Sequence, residues 1–397
     1  MVAITSAQAG FQKRFSTVFF ALSLFCVALP GTAAVKAVAI LLVWSYWLLN
    51  DSFTILSVIW FFSVLLNLLI GASVGAMFHA VVRADVTNHF IRLLIFFVVL
   101  STGGYVSQRC RLSRAYLDNL IFSIAVLMML LKVIILGGSL AGWYTVDAFH
   151  DALGFDSVTE GIGFGLQRLQ FPSDIIIPFL IATYVGGKSK VKDSLLLLSA
   201  AIVILLSFSR YLFAFYLVCT LVRAIWIKRV DLISVFSIGV ILVASVLLYD
   251  SLLSRFASAE TQASDDIRVE QVSYLKRVIA DYPIMGTGVG SSVSTFKRSE
   301  STPYFYEAQW YAMTMQFGFI GVSWFVCNLI GMLYACLKRR NNLFFTVIFL
   351  GWFASGLTNP YISALGSAFG LCFLLFRCNQ NLDIGMSRAY DLPTGNF

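Results

Sequence analysis

Leu117-Asp118-Asn119-Leu120-Ile121-Phe122-Ser123-Ile124-Ala125-Val126-Leu127-Met128-Met129-Leu130-Leu131-Lys132-Val133-Ile134-Ile135-Leu136-Gly137-Gly138-Ser139-Leu140 is the stretch that decides the class of fold. At about 1.5 Å of rise per residue, a helix through it is roughly 36 Å long and crosses a hydrocarbon core about 30 Å thick. Comparable runs recur at 15–30, 33–49, 52–80, 90–106, 173–187, 193–209, 211–227, 232–249, 308–336, 343–357 and 361–376. The chain is 59% hydrophobic and 12% charged, where a globular average carries about 25% charged residues, so a soluble domain has nowhere to put this surface. Lipid satisfies no backbone N–H or C=O group, which leaves helices or a closed barrel, and runs of this length select helices. The expectation is an all-α, polytopic helical bundle of twelve transmembrane spans, a single unit over residues 1–397 with no internal repeat, low-complexity segment or soluble domain.

The net charge of +8 would point to nucleic acid in a soluble protein. Here it falls in with the distribution of Lys and Arg over short loops. With the amino terminus in the cytoplasm, the inner segments hold Lys13/Arg14, Arg109/Arg111/Arg114, Lys188/Lys190/Lys192, Arg223/Lys228/Arg229, Lys338/Arg339/Arg340 and Arg377/Arg388. Both termini are then cytoplasmic and no nucleic-acid partner is implied. The run 52–80 is long for one span and contains Asn67 and Gly71; split in two, it would reverse every later loop and leave the basic pattern unexplained. Lys13 and Arg14 before an apolar run, with Gly31-Thr32-Ala33-Ala34 after it, resemble a secretory signal and are read as the uncleaved first span. The seven cysteines fall in spans or on the cytoplasmic side and imply neither a disulfide framework nor a metal pair.

Two long loops face outward, 141–172 and 250–307, and hold most of the acidic residues. In the second, Ser264-Asp265-Asp266 reads as a helix start, and Val272, Leu275, Ile279 and Tyr282 recur at helical spacing until Pro283. That pattern predicts an amphipathic helix at the membrane interface.

Residues able to do chemistry collect on this outer side. Arg210, in Leu206-Ser207-Phe208-Ser209-Arg210-Tyr211, stands at the junction of two apolar spans, where a guanidinium is either a snorkelling anchor or a clamp for phosphate oxygens. Arg168, in Gly165-Leu166-Gln167-Arg168-Leu169-Gln170-Phe171-Pro172, shares that side, so two cations could face one diphosphate. The 250–307 loop adds Arg268, Glu270, Lys276, Arg277 and the turn Gly286-Thr287-Gly288-Val289-Gly290. No strand precedes the glycines and no Lys-Ser/Thr follows, which excludes a nucleotide loop. A tight turn is the simpler reading, with exposed amides at Gly288 and Gly290 binding an anion as the alternative. Glu307, in Tyr304-Phe305-Tyr306-Glu307-Ala308-Gln309-Trp310, marks the return into the membrane. A carboxylate in a first helical turn is favoured by about 0.3–1 kcal/mol through the dipole, and an ionised one could accept a proton from a sugar hydroxyl. Tyr306 and its aromatic neighbours could stack on sugars or form an interfacial belt. Lys132 and Arg92 read as snorkelling or ion-paired residues, with the lining of a lipid-phosphate groove as the alternative. Asp147, His150 and Asp151 have no metal-ligand spacing, so no metal site is expected.

These residues together resemble the O-antigen ligase and polymerase superfamily of bacterial envelope glycosyltransferases. The resemblance rests on Ser209-Arg210, on Arg168 before Phe171-Pro172, on Arg268 through Asp281-Tyr282-Pro283-Ile284-Met285-Gly286-Thr287-Gly288-Val289-Gly290, and on Glu307, Gln309 and Gln316-Phe317-Gly318-Phe319-Ile320-Gly321. It covers about residues 165–325. Ligases of this superfamily generally carry a histidine near the position of Tyr306-Glu307, and its absence here points to a Wzy-type polymerase. The resemblance implies a bacterial inner-membrane enzyme without cofactor, acting on an undecaprenyl-pyrophosphate-linked glycan at the periplasmic face, with membrane lipid and a chain-length regulator protein as candidate partners. It implies Arg168, Arg210 and Glu307 as catalytic residues, and Arg268, Arg277, Tyr306, Gln309, Gly288 and Gly290 as substrate contacts. The rivals are a ligase, a lipid or glycan transporter, and an assembly scaffold; transporters usually have duplicated halves and midplane polar residues, which this chain lacks.

Overall fold

The computed structural model describes residues 17–19, 21–23, 26, 33–50, 55–79, 81–109, 112–146, 161–163, 166–186, 189–227, 239, 259–297, 303–337 and 342–379. The elements among them are α1 (Ala33–Asn50), α2 (Ile55–Phe78), α3 (Arg83–Arg109), α4 (Arg114–Leu140), α5 (Ile176–Thr183), α6 (Lys190–Ser207), α7 (Arg210–Ile227), α8 (Ala259–Asp281), α9 (Gln309–Leu337), α10 (Asn342–Ser355) and α11 (Leu365–Asn379). A two-stranded antiparallel ribbon, Gly161–Gly163 with Leu166–Gln167, lies in the first long loop. Polar side chains set several helix ends. Ser113 caps α4 by accepting from the Tyr116 amide at 3.2 Å, and Ser189 caps α6 by accepting from the Lys192 amide at 3.4 Å.

Among the described residues, four helices are long and apolar enough to cross a membrane: Ile59–Phe78, Arg83–Gly104, Arg114–Leu140 and Gln309–Gly331. The full set of twelve is not seen among the described residues; of the expected span 15–30 only 17–19, 21–23 and 26 are described, and of 232–249 only 239. Within the long run 52–80, Ile55–Phe78 is one unbroken helix, α2, whose Asn67 amide donates to the Gly321 carbonyl of α9 at 3.4 Å. Its polar atom is thus met by protein within the bundle.

The expected span 173–187 is corrected. It forms a 3-10 turn, Pro172–Ile175, and the eight-residue helix α5, together only about 20 Å long. Every residue of α5 is buried, among α4, α6, α7 and α11. An apolar run of this length reads alike whether its neighbours are lipid or protein. Non-helical backbone on either side of so short a helix is tolerable because protein surrounds it.

Arg223 and Arg377, counted with the inner basic loops, are also corrected. They are 0% and 2% exposed. Arg223 Nε donates to the Tyr184 carbonyl at 2.7 Å, Arg377 Nε to the Thr183 carbonyl at 2.6 Å, and Arg377 is ion-paired with Asp118. They satisfy the carbonyls at the C-terminal end of α5, where the helix dipole is negative.

The amphipathic helix is present as α8, beginning before Ser264. Part of its apolar face packs on protein. Leu275, with Val272, Val278 and Ile279, packs on Val293, Tyr306, Ala308, Ala312 and Met315. After α8 the chain turns at Tyr282–Gly290 and wedges between α2 and α9. Gly288 (φ +91°) lies so close to α2 that an added Cβ would stand 2.0 Å from the Gly75 nitrogen. Gly318 (φ +62°) kinks α9 at that contact, with its own missing Cβ 2.1 Å from the Ile284 carbonyl.

Candidate functional site

The first half of the site forms where the loop before α5 meets the turn between α6 and α7. Leu169 N donates to the Leu206 carbonyl at 2.9 Å, pinning the extended segment to the end of α6. Beside it, Arg168 Nε donates to the Ser207 carbonyl at 3.2 Å, and the same guanidinium bonds the Gln170 side-chain oxygen. Phe208 then adopts a left-handed conformation (φ 45°, ψ 37°), a costly geometry for a bulky residue. This reverses the chain, so that Ser209 can cap α7 by accepting from the Leu212 amide at 3.5 Å, with Arg210 as the first helical residue. Arg168 and Arg210 therefore stand at the same end of the bundle.

The second half is at the start of α9. Glu307 lies two residues before the helix rather than in its first turn, and is ion-paired with Arg268 of α8. The Ala308 amide donates to Gln271 Oε1 at 3.3 Å, which fastens α8 to this corner. Arg92 of α3 approaches from the other direction, with its guanidinium carbon 4.9 Å from the Phe305 ring centroid.

The connection between α10 and α11, residues 356–364, joins the halves. Gln309 Oε1 accepts from the Ile362 amide at 2.8 Å, and its amide bonds the Ser363 hydroxyl. Tyr361, one residue before Ile362, takes the Gln170 amide on its hydroxyl and stacks on Tyr211 at 5.6 Å. A path thus runs from Arg168 through the side chains of Gln170 and Tyr361, then along the backbone to Ile362 and on to Gln309, two residues from Glu307. The sequence does not single out Gln170 or Tyr361; the signal available was the turn dipeptide Asn359-Pro360 between two apolar runs.

Several expected substrate contacts have other duties. Tyr306 is 1% exposed, and its hydroxyl accepts from Val293 N at 2.7 Å and donates to the Phe296 carbonyl at 3.3 Å. Burial pushes its phenol up to about 12, so it stays protonated under the loop and presents no ring to a sugar. The Gly288 amide donates to the Gln316 carbonyl at 2.8 Å, which favours the tight-turn reading over anion binding, and Gly290 is buried in the same wedge. Gln309 is buried, its side chain committed to the clasp with Ile362 and Ser363. Arg277 is exposed on α8, its guanidinium 5.4 Å from the Tyr274 ring, and takes no part in the path from Arg168 to Gln309. Lys132 is paired with Asp174 at 2.7 Å, as the ion-pair reading expected. Asp147, His150 and Asp151 lie outside the described residues.

Long apolar helices around buried ion pairs define a multi-pass helical membrane protein. Residues 195–326 match the family model described as O-Antigen ligase, and this supports the O-antigen ligase and polymerase superfamily. The match covers α6 through the first part of α9, including Arg210, Arg268 and Glu307, while Arg168 and Tyr361 fall outside it. No curated protein matches the chain.

Proposed function

We propose that the chain is a polymerase of surface polysaccharide, a membrane glycosyltransferase acting on undecaprenyl-pyrophosphate-linked oligosaccharide repeats at the periplasmic face. The observation that carries this reading is the contact of Arg168 with the Ser207 carbonyl, which brings two arginines from separate parts of the chain to one end of the bundle. A hydroxyl of the acceptor repeat attacks the anomeric carbon of the growing donor chain. The bond from that carbon to the pyrophosphate oxygen breaks, and the lipid pyrophosphate leaves with the bonding electrons. Arg168 and Arg210 face the charge that develops there, the kind of preorganised stabilisation that outweighs other contributions in most enzymes. Glu307 takes the proton of the attacking hydroxyl, and Arg268, its ion-pair partner, holds it in place. The bridge through Gln309, Tyr361 and Gln170 keeps acid-base and anion-binding groups in one frame.

The test is the banding of surface polysaccharide in a deletion strain complemented with wild type, Arg210→Ala or Glu307→Ala. Both variants are expected to leave lipid A core bearing a single repeat. Activity is expected to survive chelation, because arginines supply the positive charge. Normal long-chain ladders from both variants would remove the catalytic assignment. A second reading is favoured by the description of the matching family: a ligase joining finished polymer to lipid A core, whose loss leaves the core with no repeat at all.

A further inference from the structure

The Lys132 ammonium sits at the base of the Arg168 segment. Lys132 and Asp174 are both 0% exposed at the side chain. The ammonium donates to the Leu169 carbonyl at 2.7 Å, to Asp174 Oδ2 at 2.7 Å and to the Val203 carbonyl at 3.2 Å, which gives an acceptor to each of its protons. The same Asp174 oxygen accepts from the Phe171 amide at 2.9 Å. Packing alone gives no reason for such a pair, since apolar side chains of similar volume usually serve stability as well or better. Apolar side chains could not, however, hold extended backbone against a helix. Leu169 follows Arg168, and Val203 lies one turn before Ser207, whose carbonyl receives the Arg168 guanidinium. Lys132 and Asp174 therefore tie together the two segments whose relative position decides where that guanidinium lands.

We propose that Lys132 and Asp174 form a positioning pair for Arg168, holding its guanidinium at the end of α6 where it and Arg210 address one diphosphate; this rests on the reading of Arg168 as a diphosphate contact. The test uses the full-length chain purified in detergent, with thermal unfolding and titration by inorganic pyrophosphate as separate readouts. The apolar double substitution Lys132→Met/Asp174→Leu leaves the Phe171 amide and the Leu169 carbonyl without these partners, so it is expected to unfold a few degrees below wild type, and to bind pyrophosphate about 10- to 100-fold more weakly, the scale of a displacement near 1 Å. Lys132→Arg keeps the charge but replaces three diverging donors with a planar fork, and is expected to weaken binding severalfold. It decides the matter if the double variant does not fold. Wild-type affinity in a folded variant of either kind, with Arg168→Ala losing binding, would overturn the positioning role and leave the clamp standing. Wild-type affinity in Arg168→Ala would overturn the clamp itself and with it the purpose assigned to the pair.

Discussion

At its C-terminal end α5 runs into Arg223 and Arg377, fully enclosed and bonded to the last carbonyls of the helix, with Asp118 balancing the charge. At its N-terminal end the enclosed cation is Lys132, balanced by Asp174, and a further cation, Arg168, lies beyond that pair, partly exposed and bonded to another helix. Both ends place arginine next to a helix terminus and a buried carboxylate. What separates them is exposure: the C-terminal arginines are enclosed in protein, whereas Arg168 is partly exposed. In a membrane protein an arginine at a span end is thus no sign of chemistry until its surroundings are known.

The difference can be broken at either end. The largest effect is expected from Asp118→Ala, which strands the buried Arg377 guanidinium. Denaturant unfolding in detergent should show a loss of about 3–5 kcal/mol, and an unchanged midpoint would mean that the C-terminal arginines are not structural caps. Arg168→Ala should do the reverse. Stability falls by only about 1 kcal/mol through lost hydrogen bonds, while polymer formation falls about 100-fold, equivalent to about 2.7 kcal/mol of transition-state stabilisation. Equal losses of both kinds at both ends would erase the distinction. The smallest effect belongs to Arg114, whose side chain is 47% exposed and 3.9 Å from Asp118. Arg114→Ala should cost no more than about 0.3–0.5 kcal/mol, and a loss several times greater would make it part of the enclosed network.

Much of the helical layout was legible because apolar length is a one-dimensional property. The limits of α1, α4, α6 and α7 fall within a few residues of the runs read from the chain. The interfacial helix was legible in type but not in setting, because Leu275 and its neighbours have the same spacing whether Met315 or an acyl chain lies opposite. α5 was misread for a related reason: a helix apolar on every side is what either lipid or a protein interior requires. In the site, Arg210 was legible as a charge at the junction of two apolar spans, and Arg168, Arg268 and Glu307 as charges of the outer loops. Gln170, Tyr361 and the clasp made by Gln309 were not, since neutral polar residues near span ends have no distinguishing spacing.

By itself the amino-acid sequence determined that the chain is helical and lives in lipid, through the hydrophobic length and low charge that the bilayer demands, and it determined which charged residues needed an explanation. Only the tertiary structure decided what each charge does. It buried Arg223 and Arg377 as caps, paired Lys132 with Asp174 and Arg268 with Glu307, and set Arg168 on the Ser207 carbonyl. The physical reason is that the cost of a charge is local to its side chain, whereas its use depends on the acceptors that packing brings to it from distant parts of the chain.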